Sequence, residues 1–234
     1  MFKVGLLAPL VKSVEPRMTY VPGSGISEGM FVAADLFSRP DRYHSEDLFQ
    51  GMIGKTSIMF SEVHAEEKHT STDSKGRRKT TWSTIFKGVF LIADFHKEFR
   101  SPVSVMPDFA ERSLGWFGKK LQKLGGSLQR LENPEFEKLF VVRGADPLET
   151  RYLLTPRMQE CLVELHQRVG QGVCIGFRAS NVVLALPNSV NLFEADSKVP
   201  AADRNQLEGL LFDLWNCVRI VEDLDLNTRI WTKE

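Results

Sequence analysis

Two long β-prone runs on either side of a polar, turn-forming stretch constrain this chain more than any other feature. The outgoing run extends from Gly51 to His69 and the return from Lys79 to Phe99. Ile58-Met59-Phe60 is apolar on both faces and gives way to the mixed Ser61-Glu62-Val63-His64-Ala65-Glu66, as in a strand that leaves a core for solvent. The return does the reverse, from Thr80-Thr81-Trp82-Ser83-Thr84 into Ile85 to Ala93, which is dense in β-branched and aromatic residues. Thr70 to Arg78 between them is turn-forming and carries few apolar groups, so it forms the tip of a long antiparallel hairpin.

The remaining segments build outward from this hairpin. Phe2, Leu6, Leu7, Leu10, Val11 and Val14 share a helical face, so residues 2 to 14 form an amphipathic helix that Pro16 stops. Its uncapped start points to a chain that continues upstream. Ser27 caps a short helix to about Phe37, with Ile26 and Phe31 at the spacing of a hydrophobic staple. Pro102 to Met106 is a short strand, and Asp108 caps a helix whose buried stripe runs Ala110, Leu114, Phe117, Leu121, Leu124. Ser127 to Glu132 and Leu139 to Arg143 read as strands. Thr155-Pro156 opens a helix that ends at Gly170, and Val173 to Phe177 with Val182 to Leu186 forms a second hairpin. Leu207, Leu210, Leu211, Leu214, Val218 and Val221 mark a long C-terminal helix. The fold expected is α+β, with a mainly antiparallel sheet of about five to seven strands. It is one domain over 1–234, or two packed lobes, 1–125 and 126–234. A pleckstrin-homology-like barrel closed by the C-terminal helix is the alternative.

Composition narrows the function classes. At 234 residues the chain can bury roughly 70 to 75% of its unfolded surface, so it needs no covalent staple. Thirty basic residues balance thirty acidic ones, which removes the bulk attraction for nucleic acid and leaves only local patches for an anionic partner. The three cysteines, Cys161, Cys174 and Cys217, are odd in number, widely spaced and set among apolar residues. That pattern fits free thiols in a reducing compartment, neither a disulfide framework nor a zinc site. No apolar run reaches the roughly 20 residues that span a bilayer.

The candidate chemistry weighs lightly against simpler readings. Gly23, Gly25 and Gly29 lack the spacing of a phosphate-cradling loop and read as a turn. Glu62, His64 and Glu66 share a strand face, with Asp94 and His96 on the return strand, all ligand types for a divalent metal. A tip near Lys75 places His64 opposite about Phe86 and leaves Asp94 and His96 toward the other end. Ser61 beside Glu62 and His64 has no nucleophile elbow, and strand residues at i and i+3 face opposite sides. Cys161 and His166 are poorly spaced to face each other on one helix. No catalytic residue, cofactor or metal ligand is assigned on this basis. Two basic groups remain as candidates for an anionic surface: Lys75, Arg77, Arg78 and Lys79 at the hairpin tip, and Arg112, Lys119, Lys120 and Lys123 beside Trp116 and Phe117 on the helix from Asp108.

Several ordered motifs carry a resemblance. Tyr43-His44-Ser45-Glu46-Asp47, Gly51-Met52-Ile53-Gly54-Lys55-Thr56, Phe60-Ser61-Glu62-Val63 and Phe86 to Lys97 resemble the signature of a bacterial family known as domain of unknown function 3137. Phe136-Glu137-Lys138-Leu139-Phe140 and Tyr152-Leu153-Leu154-Thr155-Pro156 are similar to its second block, so the likeness spans almost the whole chain. The resemblance brings no activity, cofactor or catalytic residue, but it implies hydrophobic segments upstream of this region.

These readings together imply a binding module. Its expected place is the cytoplasmic face of a bacterial inner membrane, and its expected partner is a protein or an anionic membrane surface rather than nucleic acid. The competing expectation is a metal-dependent hydrolase built on Glu62, His64 and Asp94.

Overall fold

The computed structural model describes residues 2–72, 76–95, 97, 99–108, 126–170, 172–188, 192–193, 200, 203–224 and 226. In chain order these form α1 (Phe2–Val14), β1 (Met18–Val21), α2 (Glu28–Ala33), β2 (Arg42–Ile53), β3 (Thr56–Thr72), β4 (Arg78–Asp94), β5 (Val103–Pro107) and β6 (Ser127–Gln129). There follow α3 (Pro134–Leu139), β7 (Phe140–Gly144), α4 (Pro147–Leu153), α5 (Pro156–Val169), β8 (Cys174–Arg178), β9 (Asn181–Pro187) and α6 (Arg204–Asp223). The strands make one nine-stranded sheet in the order β1-β2-β3-β4-β9-β8-β5-β7-β6, and every neighbouring pair is antiparallel.

Alternation along the central strands decides which face each side chain serves. Ile58 and Phe60 of β3, Val89, Leu91 and Ala93 of β4, and Val182 and Leu184 of β9 point into a large core with residues of α1, α3, α4, α5 and α6. Val63 and Ala65, Phe86 and Phe90, and Val183 and Ala185 point the other way, onto a smaller core closed by α2 and Ala34 to Phe37. Burial on both faces explains why Val89 to Ala93 is an unbroken apolar run rather than an alternating one. At the centre of the smaller core Phe31 is fully buried, with ring centroids 5.0 Å from Phe90, 5.4 Å from Tyr43 and 5.6 Å from Phe37.

Local signals set the helix ends. Asn133, Asp146 and Thr155 each cap a helix that begins with proline. Their side chains accept from Glu135 N (2.9 Å), Leu148 N (2.8 Å) and Met158 N (3.3 Å), which satisfies amides the first turn leaves without partners. Ser27 accepts from Met30 N at 3.2 Å, and α2 then ends at Ala33, four residues before Phe37. In the second hairpin Ala179 and Ser180 both have positive φ, the conformation a two-residue hairpin turn requires.

The sheet is larger than the five to seven strands expected. Met18–Val21 and Arg42–Ile53 are the unforeseen strands, because β2 is polar over its first half and interrupted by a bulge, which hides its alternation. The barrel alternative is replaced by an open sheet, since β1 and β6 occupy its two ends. The strand expected to reach Glu132 stops at Gln129, where the chain turns toward the α3 cap. Beyond Asp108, the helix expected over 108–124 lies outside the described residues. No helix among the described residues is long and apolar enough to cross a membrane.

Replacing Phe31 with Ala should cost about 3 to 5 kcal/mol, read as a lowered urea midpoint, because the smaller core has little else to fill the void. On α6, Asp213 is half-buried. Burial raises the Asp213 carboxyl from 3.8 to about 6, so the folded chain holds an extra proton and stability declines as pH rises between those values. Asp213→Asn should therefore stabilise the protein at pH 7, by on the order of 1 kcal/mol for a half-exposed group, with the gain vanishing below about pH 4 in pH-dependent melts.

Candidate functional site

A cluster of polar side chains lies where the β3–β4 hairpin leaves the body of the sheet. His44 of β2 stands opposite His64 of β3, and Glu46 stands opposite Glu62, so a His-x-Glu run faces its mirror image on the next strand. On the far side of β3, Lys87 is opposite His64. These side chains, with Val63 and Gly88, line a pocket of about 170 Å3. His44 Nε2 is 3.7 Å from Glu46 Oε1, and His64 Nε2 is 4.0 Å from Glu66 Oε1 and 3.4 Å from Thr84 Oγ1.

A bulge adds a third carboxylate. The β2–β3 register slips by one residue between Glu46 and Phe49, and Asp47 takes φ 57° there. Asp tolerates this left-handed conformation better than most residues, and the extra residue brings its side chain round to its neighbours. Carboxylate oxygens of Glu46, Asp47 and Glu62 lie within 4.8 Å of one another, with Asp47 and Glu62 buried. Tyr20 Oη donates to Asp47 Oδ1 at 2.5 Å, and the Leu192 amide donates to Glu62 Oε1 at 2.6 Å. Charge-assisted bonds of this kind offset part of the cost of burying a carboxylate. Carboxylates and imidazoles are donors to divalent cations, so the chemistry open to this corner is cation or proton binding.

The structure brings some of the expected residues together and separates others. Glu62 and His64 share the pocket, but Asp94 pairs with Asn181 near the opposite end of β4. It lies five residues along from Val89, the partner of Glu62, or roughly 16 Å at strand rise. The Glu62/His64/Asp94 set is therefore not assembled, and the carboxylates beside Glu62 are those of Glu46 and Asp47. His96 lies outside the described residues. Ser61 is buried and structural: its Oγ is 2.8 Å from Ser45 Oγ and accepts from Ile26 N at 3.0 Å. Cys161 is fully buried, and burial lowers the His166 imidazole, which stands edge-on to Phe140. Gly23 sits in a turn with φ 66°, as read from the sequence, whereas Gly29 lies within α2.

Above the pocket the hairpin continues as an arm. From Glu67↔Ser83 to Thr72↔Arg78 its two strands pair only with each other, since β2 ends at Arg42 opposite Glu66 and β9 ends at Pro187 opposite Gly88. Arg77, Arg78 and Lys79 are exposed there; Arg78 and Lys79 point to opposite faces, opposite Thr72 and Ser71. At the foot, Arg42 bonds Glu66 at 3.0 Å and lays its guanidinium 3.9 Å from the centre of the Trp82 ring. Lys75, Arg112, Lys119, Lys120 and Lys123 lie outside the described residues.

A family profile described as "Protein of unknown function (DUF3137)" matches residues 84–226. No curated protein matches the chain. Among solved structures, the crystal structure of the mycobacterial trehalose monomycolate transport factor A, TtfA, is similar with a TM-score of 0.45 and 9% identity, over 94% of this chain and 95% of that one.

Tyr20→Phe removes one donor from buried Asp47 while preserving the ring. It should lower stability by about 1 to 3 kcal/mol, measured by urea denaturation at pH 7. An unchanged midpoint would mean that the bond contributes nothing net.

Proposed function

Because the chain belongs to the DUF3137 family, whose description assigns it no activity, we propose from its geometry that it is a binding domain acting beside an anionic membrane surface, with the hairpin arm as its contact. The observation that carries this reading is the concentration of charge on the arm. The chain as a whole is balanced at 30 against 30, yet Lys68 to Trp82 holds Lys68, Lys75, Arg77, Arg78 and Lys79 against Asp73 alone, five minus one or +4. Of these, Lys68, Arg77, Arg78 and Lys79 are exposed along the two-stranded projection, where they can reach a surface without disturbing a core. Trp82, exposed and opposite Lys68, adds an amphipathic ring of the sort favoured at headgroup depth. Each cation that reaches an anionic bilayer adds roughly 1 kcal/mol, so the arm alone binds weakly and in a salt-sensitive way.

The cytoplasmic face of a bacterial inner membrane suits this reading. All three cysteines are free and buried, and burial pushes the Cys174 thiol up to about 12, so it is a packing group rather than a nucleophile. The rival within the binding class is a protein partner that never meets lipid. The rival outside it is a metal-dependent enzyme centred on Glu62.

Sedimentation with vesicles distinguishes them. Binding to vesicles containing anionic lipid at low salt is expected, lost in high salt, on neutral vesicles, and in the Arg77→Glu, Arg78→Glu, Lys79→Glu triple variant. Failure to sediment at low salt would reject the membrane reading in favour of a protein partner. Stoichiometric zinc or manganese in the purified protein, lost in Glu62→Gln, would favour the enzyme instead.

A further inference from the structure

The solvent face of α6 carries an aromatic pair that packing within the chain leaves exposed, flanked by Glu208 and Arg219, whose ion pairs run along the same helix to Arg204 (2.7 Å) and Asp223 (3.2 Å). Phe212 is 63% exposed and Trp215 44%, on a helix whose opposite side, through Leu210, Leu214, Cys217 and Val221, is buried in the large core. Exposed Glu208, Phe212, Trp215 and Arg219 follow one another at spacings of four, three and four residues. This is the seam spacing of a helix that packs lengthwise against another helix. The Arg219 guanidinium lies 4.7 Å from the centre of the Trp215 ring, which places both on one stripe.

The stripe is complementary to itself. If a second α6 is laid alongside in antiparallel sense about a twofold axis passing between positions 213 and 214, residue numbers facing each other sum to 427. Glu208 then faces Arg219 of the other copy, and Phe212 faces Trp215, each twice by symmetry. Opposite charges close both ends and aromatic rings fill the two central layers. In a parallel pair each charge would instead meet its own kind. Gly209, exposed beside this stripe, fits the same arrangement: it is disfavoured inside a helix, and a Cβ there would touch nothing in its own chain. Its bare backbone leaves room for a partner's large side chains to approach.

We propose that α6 is the interface of a symmetric dimer of this chain, paired antiparallel through the Phe212/Trp215 layers and flanked by Glu208/Arg219 pairs. A second copy suits this face better than lipid, because Glu208 within the stripe would be repelled by an anionic surface. The seam is small beside a standard interface, so the dimer forms in the micromolar range and is reversible.

Sedimentation velocity on the full chain tests this. The wild-type protein should pass from monomer to dimer as its concentration rises through the micromolar range. Trp215→Lys should weaken the association at least about tenfold, as loss of a central aromatic anchor does. Glu208→Arg and Arg219→Glu each place like charges in both outer layers and should be monomeric. Mixed with each other, these two chains restore opposite charges at both ends, so the mixture should dimerise again. All three positions are exposed, and circular dichroism verifies that the variants are folded. A monomeric wild type at every concentration overturns the proposal, as does a dimer insensitive to Trp215→Lys or a mixture that stays monomeric. Loss of vesicle binding in Trp215→Lys with no change in mass would assign the face to lipid and overturn it equally.

Discussion

The antiparallel pairing of β3 with β4 is the interaction on which the rest of the molecule depends. The ladder runs from Ile58↔Ala93 to Thr72↔Arg78, and its inner half is packed on both sides. β2 attaches to one side of it and β9 to the other, and every remaining strand hangs from one of those two. Gly88 shows how closely they are fitted: with φ 147°, any Cβ there would collide with the carbonyl oxygen of Leu186 and the backbone of Pro187. The ladder makes one concession, a one-residue slip between Ala65 and Glu66 opposite Ile85. At that point the strands pass from a sheet buried on both faces to a ribbon exposed on both.

Where the sequence was legible, a local physical cause lay within a few residues. α1 and α5 could be read to their ends because an apolar stripe coincides with Pro16 in one case and with Thr155-Pro156 and Gly170 in the other. The C-terminal helix and both hairpins were legible for similar reasons. α3 and α4 carry the same cap-then-proline signal at Asn133-Pro134 and Asp146-Pro147, yet at six and seven residues they are too short to show a stripe. β2 was hidden for a different reason. Arg42 to Glu46 is polar on both faces, and the bulge at Asp47 breaks the period-two pattern where the apolar residues begin.

The candidate site follows the same division. That Glu62 and His64 share a face follows from alternation along one strand. Their neighbours across the strand boundary, His44, Glu46 and Asp47, could be found only by pairing β3 with a strand that the polar sequence conceals. A signal was present in the mirrored runs His44-x-Glu46 and Glu62-x-His64, which antiparallel pairing superposes. Register carried the other error: counting back from Lys75 puts His64 opposite Phe86, whereas the slip at Ile85 moves it to Lys87. The separation of Asp94 from His64 was legible from the hairpin's length alone, and the structure bears it out: Asp94 lies seven residues along β4 from Lys87, the partner of His64.

The slip at Ala65 has one more consequence, for how such a chain can vary. Outboard of it, residues contact each other across two strands and little else, so inserting or deleting one matched pair of residues from each strand leaves the inner register intact. Each such change preserves which side every remaining group faces and moves the tip by roughly 7 Å. The arm is in this sense an adjustable spacer, whose length can be retuned by evolution or by design while the pleated platform beneath it keeps its dimensions.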